Sequence, residues 1–352
     1  WNAYLTDELR VLAGKYGRAL SGTPQAMEKK KAAFYLAQGP YNQALGLWYA
    51  GEKFSPEAKA DVEAKVATMI DVYKSRLQTA DWLASETREK AITKLNVITP
   101  HIGYPEKLPE TYDKKIIDEN LSLVENAQKL VEISVAHSWS KWNKPVDRSE
   151  WHMPAHMVNA YYDPQQNQIV FPAAILQAPF YDLHQSSSAN YGGIGAVIAH
   201  EISHAFDTNG ASFDENGSLK NWWTEEDYAA FKERTDKIVD QFEGLDSYGA
   251  KVNGKLTVSE NVADLGGVAC ALEAAKRDKD FSVREFFVNF ATIWRMKARE
   301  EYMQMLASVD VHAPAKWRTN VIVSNFDEFH KEFDVKEGDG MWRAPEDRVI
   351  IW

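Results

Sequence analysis

The chain of 352 residues is long enough for two domains, or for one large domain with a smaller companion. Hydrophobic residues make up 45% of it, which supports a buried core, while the net charge of −11 leaves no basic surface to neutralise phosphate groups, so we expect no nucleic-acid partner. The single Cys270 excludes an internal disulfide, and no apolar run approaches the length of about 18 residues that predicts a membrane segment.

The first part of the chain, to about residue 98, has helical patterns throughout. Ser55 is followed by a proline, which is a helix start signal because the hydroxyl caps the helix and the fixed φ of proline suits its first position. Apolar residues recur at three-to-four spacing over residues 62–73, which predicts a helix that buries one stripe. We expect Trp48 and Trp82 to pack such helices together.

Three prolines between residues 100 and 109 interrupt the helical pattern. We place the main division there. Residues 1–105 are expected to form a helical region that belongs to a capping or second domain and its connector, and residues 106–352 to form the domain that carries the chemistry. A long amphipathic helix is predicted from about Ile116 to Trp139.

The pattern then changes to that of strands. Residues 157–162 and 168–171 are strand-like runs on either side of a turn at residues 163–167, which predicts a hairpin. The exposed edge of such a hairpin could pair with an extended peptide. Further along, Thr224 and the acids after it resemble a capping box and predict a helix start. Two more helices are predicted, at about 259–275 and 282–306.

The apolar, helix-compatible run at residues 192–210 contains His200, Glu201 and His204 in an H-E-x-x-H pattern. Four residues advance a helix by little more than one turn, so both imidazoles lie on one face and can bind one metal ion, while Glu201 could reach a water on that ion. Zinc is the expected ion because imidazole and carboxylate ligands suit it. The alternative is a buried helix with two hydrogen-bonded core histidines.

A catalytic zinc site needs a third protein ligand, and the best candidate is Glu260. Asp264 lies one helical turn later, where it could accept the outer N–H of a ligating histidine. Asp207, three residues after His204, could hold the other histidine in the same way. The alternative is that Glu260 and Asp264 only complement the dipole of a helix N-terminus.

Five motifs occur in one order along the chain, namely VNAYYDP, NQIVFPA, NYGGIGAVIAHEISHAFD, SENVADLGG, and VHAP followed by Arg318. Together they resemble the catalytic half of the neprilysin family, which includes the endothelin-converting enzymes and bacterial oligopeptidase O. The similarity extends through most of the chain to Trp352. It implies a mainly α zincin fold, with an active-site helix like that of thermolysin, a small β hairpin or sheet, and a helical N-terminal region.

The resemblance also implies roles for individual residues. His200, His204 and Glu260 match the ligands of one zinc ion. Glu201 matches the general base that deprotonates zinc-bound water, and Asp207 with Asp264 matches the acids that orient the histidine ligands.

Other matched positions concern the substrate. Asn159 and the backbone of Ala160 match an edge strand that holds the substrate main chain. His312 matches the residue that stabilises the tetrahedral oxyanion, and Arg318 the one that binds a substrate carbonyl. The positions that match the apolar pocket for the side chain after the scissile bond are Ile175, Phe180, Val197, Ile293 and Trp294. The implied activity is zinc-dependent hydrolysis of oligopeptides before a hydrophobic residue.

Two departures from the family pattern matter. Val349 stands where animal members have a cysteine, which resembles the bacterial members. We expect a cytoplasmic location in a bacterium. The family's N-terminal half is missing, and the chain begins at Trp1 within a helical pattern, so a natural portion is expected to precede it and a secreted or cell-surface location stays open.

This leaves two rivals to the endopeptidase. The chain could be an inactive half that binds or associates with its missing N-terminal part. A zinc aminopeptidase ranks lower, because the residues soon after His204 offer no matching second glutamate motif.

Overall fold

Sixteen α-helices and five short strands make up the computed structural model, which describes all residues, 1–352. The helices are α1 (Asn2–Leu5), α2 (Asp7–Ala13), α3 (Lys15–Leu20), α4 (Lys29–Gln38), α5 (Asn42–Lys53), α6 (Pro56–Thr79), α7 (Ser85–Asn96), α8 (Leu123–Ser140), α9 (Ser187–Asn190), α10 (Ala196–Ser203), α11 (Glu225–Phe242), α12 (Gly254–Ala275), α13 (Val283–Ile293), α14 (Glu300–Val309), α15 (Ala315–Val323) and α16 (Asp327–Glu332). The strands are β1 (Thr99–Gly103), β2 (Tyr161–Asp163), β3 (Gln168–Pro172), β4 (Asp246–Ser247) and β5 (Ala250–Lys251). None of the helices combines the length and apolarity needed to cross a bilayer.

Two helix starts predicted from capping residues are confirmed. The Ser55 hydroxyl accepts a hydrogen bond from the backbone N–H of Ala58 at 3.2 Å and begins α6. The Thr224 hydroxyl accepts one from the backbone N–H of Asp227 at 3.1 Å and begins α11. In both cases the side chain satisfies a donor that the first helical turn leaves free.

Other helix boundaries differ from the prediction. The single helix predicted over residues 282–306 is wrong, because α13 ends at Ile293 and α14 begins at Glu300. α12 begins before residue 259, since the Asn253 side chain accepts from the N–H of Leu256 and caps it there. α8, in contrast, starts later than the predicted position near Ile116, because a capping box at Ser122 begins it at Leu123.

A three-stranded sheet has the order β1-β3-β2 and packs beside α10. β2 and β3 pair antiparallel, with Tyr161 opposite Val170, which confirms the predicted hairpin. The first strand is shorter than predicted, because residues 157–160 are not part of it and β2 runs from Tyr161 to Asp163. β1 pairs parallel with β3, with Thr99 opposite Gln168, and the sequence patterns did not predict this strand. β2 is therefore an edge strand.

The buried hydrophobic side chains form one continuous core, whose members come from positions between Ala50 and Trp352. α6 packs against both α10 and α12, and α10 and α12 make the most extensive helix-to-helix contact of the fold. Residues on both sides of position 105 thus contribute to one core, while the division into 1–105 and 106–352 stays a prediction.

The two tryptophans expected to pack helices together behave differently. Trp82 stacks with Trp223, Phe231 and Trp352 in an aromatic cluster, as predicted. Trp48 is 64% exposed, so that prediction is wrong. Its helix α5 turns this face to solvent.

The close contact of α10 with α12 depends on Gly267. A Cβ at this position would lie 2.8 Å from the backbone nitrogen of His200 and 2.9 Å from its Cα, and backbone atoms cannot swing aside. We expect Gly267→Ala to lower the free energy of unfolding by about 1–3 kcal/mol, as overpacking does. Denaturant unfolding measures this change.

Gly51 on α5 provides the matched control, because a Cβ there would meet nothing within 4 Å. Gly51→Ala should raise the free energy of unfolding by up to about 1 kcal/mol, since alanine is the better helix former. Equal effects at the two glycines would contradict the packing argument.

Candidate active site

The H-E-x-x-H segment lies on α10, whose residues are all buried. A π-helical turn at Tyr191–Gly195 precedes the helix, and His204 caps its end. His200 and His204 project from the same face, and their Nε2 atoms are 3.0 Å apart. The two imidazoles therefore lie side by side on one face of α10, as their spacing predicts.

Glu260 on α12 lies against both imidazoles. Its Oε2 is 3.3 Å from Nε2 of His200 and 3.5 Å from Nε2 of His204. Ligands about 2.05 Å from a tetrahedral zinc ion are about 3.3–3.4 Å apart, so the three observed separations bracket the value that such an ion requires. Oε2 of Glu260 is also buried without a hydrogen-bond partner. These three residues therefore fit a zinc ion.

Two carboxylates lie behind the imidazoles. Asp264 Oδ1 is 2.8 Å from Nδ1 of His200, and Asp207 Oδ2 is 2.5 Å from Nδ1 of His204. Each carboxylate contacts the nitrogen that points away from Glu260, which fixes the orientation of the ring and leaves Nε2 for a metal.

The charges of this cluster are strongly coupled. Burial by itself would lower the pKa of His204, but the nearby carboxylates of Asp207 and Glu260 outweigh it and raise that pKa. Burial would raise the pKa of Glu260, yet the surrounding histidines lower it. Glu260 is therefore ionised, which is the state that a ligand must have.

Glu201 lies in the same cleft and is only 6% exposed. Burial raises the pKa of its carboxyl group, an effect that the charges of His200 and His204 oppose. A carboxylate with a raised pKa is a better proton acceptor near neutral pH. Its position and environment suit general-base chemistry.

His312 reaches the cluster from the segment between α14 and α15. Its Nε2 is 3.1 Å from Oε2 of Glu260, and its Nδ1 is 2.8 Å from Oδ1 of Asp310. Asp310 was not identified from the sequence, although its position two residues before His312 is the available signal. It fixes the imidazole so that Nε2 faces the cleft.

Arg318 on α15 is nearly buried and is held on two sides. Its Nε and Nη2 donate to Asp264 at 2.6 and 2.9 Å. Its guanidinium also lies over Trp294, 3.8 Å from the ring centroid, which adds a cation–π contact. Asp264 thus joins Arg318 to His200.

This buried pair gives a stability prediction. Arg318→Ala should lower the free energy of unfolding by about 3–5 kcal/mol, because it leaves the buried carboxylate of Asp264 unpaired. Arg284 is the control, since it is 60% exposed and pairs with Glu332 at the surface. Arg284→Ala should cost less than about 1 kcal/mol. Similar costs in denaturant unfolding would count against the buried pair.

The cleft in front of these groups has a volume of about 430 Å³. Phe180 and Trp294 meet edge to face on its apolar side, with ring centroids 6.5 Å apart. The other residues of the predicted substrate set that line the cleft are Asn159, Ala160, Ile175, Val197 and Arg318. Ile293 does not line it and is instead buried in the core.

The structure adds lining residues that the sequence did not indicate. They include Tyr161, Tyr162, Phe290, Asn209 and Ser259. The Ser259 hydroxyl donates to Asp207 Oδ2 at 2.5 Å and accepts from the Asn209 side chain at 3.0 Å. Its place next to Glu260 is the only sequence signal for this role.

Comparison with known proteins agrees with this geometry. The sequence profile of peptidase family M13 matches residues 159–349, and a second profile of the same description matches residues 1–105. A neutral endopeptidase of Lactococcus lactis subsp. lactis (strain IL1403) is 53% identical over 350 residues, which is 99% of this chain and 56% of that protein.

Solved structures give the same result. The crystal structure of PepO from Lactobacillus rhamnosis HN001 has a TM-score of 0.95 and 42% identity, and the match covers 100% of this chain and 56% of that one. The zinc metalloprotease Zmp1 of Mycobacterium tuberculosis, in complex with an inhibitor, has a TM-score of 0.92 and 36% identity, covering 100% and 55%. The chain spans about half the length of the curated relatives it matches.

The profile covers more than half of the chain, and the mainly helical fold is that of the solved family members. The mainly α zincin fold and the resemblance to the neprilysin family are thereby confirmed. The chain belongs to peptidase family M13.

Proposed function

We propose that the chain is the catalytic half of a zinc-dependent endopeptidase that hydrolyses oligopeptides before a hydrophobic residue. The observation that carries this proposal is the convergence of His200, His204 and Glu260 at tetrahedral spacing, with Glu201 beside them in one cleft. The family relatives named endopeptidases and metalloproteases support the same reaction class.

The three ligands would hold one zinc ion, which supplies a Lewis acid that polarises the substrate carbonyl and makes water more acidic. Glu201 accepts a proton from the attacking water and returns it to the leaving nitrogen, so that one carboxylate serves both halves of the reaction. His312 donates a hydrogen bond to the oxygen that becomes negative, which is worth about 3 kcal/mol in comparable sites.

The same cleft accounts for substrate binding. The edge of β2 and the residues before it, Asn159 and Ala160, can pair with an extended peptide main chain. The remaining N–H groups of Arg318 can reach a substrate carbonyl. Phe180 and Trp294, with their apolar neighbours, favour a hydrophobic side chain after the scissile bond, at about 1–3 kcal/mol per methylene.

Hydrolysis of a short, internally quenched peptide tests the proposal. An N-acetylated peptide with Phe after the scissile bond should be cut, a chelator should stop the reaction, and zinc should restore it. The same peptide with Asp at that position should be cut far more slowly. Cleavage that requires a free N-terminus would instead indicate an aminopeptidase.

The chain covers only part of its relatives' length, which favours one specific alternative, an inactive half that associates with an N-terminal part of the kind those relatives have. Bound zinc without hydrolysis, and hydrolysis restored by adding the N-terminal part of a relative, would support it.

We include in the proposal a domain boundary near residue 105 and a cytoplasmic location in a bacterium. The relatives support only the bacterial origin, and cell fractionation tests the compartment.

A further inference from the structure

Lys94 on α7 is buried, with 1% of its surface exposed, although lysine is rarely buried without an acidic partner. Its ammonium group donates to three backbone carbonyls instead. The acceptors are Ala205 at 2.8 Å, Gly210 at 2.8 Å and Phe213 at 2.7 Å. All three N–H donors are thus satisfied by one short segment.

The surroundings are shaped for an ammonium ion. The rings of Tyr162, Phe206 and Trp222 lie 5.8–5.9 Å from Nζ of Lys94, within the range of cation–π attraction. The backbone is also fixed, because the Asn167 side chain donates to the Lys94 carbonyl at 3.0 Å. Burial lowers the pKa of Lys94 to about 7, while the nearby acids, Asp207 first among them, oppose the shift.

The segment that Lys94 holds is the loop at residues 205–213, and this loop contains Asp207. Asp207 Oδ1 accepts from the backbone N–H groups of Asn209 and Gly210, at 2.8 and 2.6 Å. Its Oδ2 lies against Nδ1 of His204. The position of Asp207 therefore depends on the conformation of the same loop whose carbonyls contact Lys94.

We propose that Lys94 is a positioning residue for the metal site, which holds the 205–213 loop so that Asp207 orients His204. Lys94 contacts none of the three ligand side chains and does not itself line the cleft, so it acts through the loop. The inference rests on the zinc site of the proposed function. It adds a residue from the N-terminal part of the chain to the machinery of that site.

The test replaces Lys94 with methionine, which has nearly the same length and no donor. In Lys94→Met the zinc dissociation constant, from competition with a chromophoric chelator, should rise about tenfold, the size seen when outer partners of ligands are lost. Amide hydrogen exchange in residues 205–213 should become faster. Both readouts are independent of peptidase activity.

Leu95 is the matched control. It is the next residue on α7, is 2% exposed and donates no hydrogen bond to the loop. Leu95→Ala should lower thermal stability, yet leave zinc affinity within about twofold of the unmodified chain, because leucine provides no donor to the loop carbonyls that Lys94 holds. If Lys94→Met does not fold, Lys94→Gln takes its place, since its amide keeps two donors and should weaken zinc binding less.

The outcomes separate the two proposals. An unmodified chain that binds no zinc would overturn the proposed function itself. An unmodified chain that binds one zinc ion, with a Lys94 variant of equal affinity and unchanged loop exchange, would overturn only the inference. Equal losses in the Leu95 and Lys94 variants would show a general stability effect and would also overturn it.

Discussion

Replacing Glu201 with glutamine should leave zinc bound and lower kcat for a peptide substrate by about 10²–10⁴-fold, the usual contribution of a general base. Glutamine keeps the size and the buried position of the side chain but cannot accept a proton. Because Glu201 is not placed among the three ligand atoms, the metal content should stay at one ion per chain. Elemental analysis and steady-state kinetics measure the two quantities.

A shorter carboxylate provides the control for this change. Glu201→Asp keeps the basic group but withdraws it by one methylene, and a displacement of about 1 Å can cost about a hundredfold in rate. Its activity should therefore lie between those of the unmodified chain and Glu201→Gln. Full activity in Glu201→Gln would remove Glu201 as the base.

Replacing Glu260 with alanine should weaken zinc binding by more than about a hundredfold, which is the upper end of the effect seen for residues that only support a ligand. The change removes one of the three proposed ligand atoms and leaves His200 and His204 facing each other with their Nε2 atoms 3.0 Å apart. Chelator competition followed by measurement of the remaining metal gives the dissociation constant.

Glu273 is the matched control for this second change. It lies on the same helix, α12, and its side chain is 40% exposed in an ion pair with Arg76. Glu273→Ala should leave zinc affinity unchanged. If Glu260→Ala binds zinc as tightly as Glu273→Ala, the third ligand lies elsewhere and the proposed site must be rebuilt.

Local sequence signals predicted much of the fold. Helix starts at Ser55 and Thr224 depend on a hydroxyl and the next few residues, and the hairpin depends on alternation around one turn. β1 could not be found this way, since Pro100 and Gly103 are poor strand residues and its partner β3 lies far along the chain. Pairing with β3 overrides local propensity.

The end of α13 shows the same limit. No glycine or proline lies between Trp294 and Arg299, so the sequence contains no signal for a break. The chain leaves the helix at Trp294, where the indole ring packs under Arg318 in the cleft. This contact comes from α15, and no pattern within the segment contains it.

Some residues of the candidate site could be predicted from local sequence, and others could not. The spacing of His200 and His204 predicted a shared helical face, because one helix carries both. Glu260 could be proposed only by its chemistry and by family resemblance, since its approach requires α12 to pack on α10. Lys94 and Asp310 were missed because a buried ammonium and an orienting carboxylate have no motif of their own.

The contacts of His200 also determine at which stage of translation the site can be completed. Its orienting partner Asp264 and the arginine that holds Asp264 are both translated well after His200 itself. A nascent chain that still hides Arg318 in the ribosome tunnel lacks the complete arrangement. We therefore expect the site to bind metal only after Arg318 has left the tunnel, so that the cellular zinc supply acts on the assembled site and not on the earlier stages of folding.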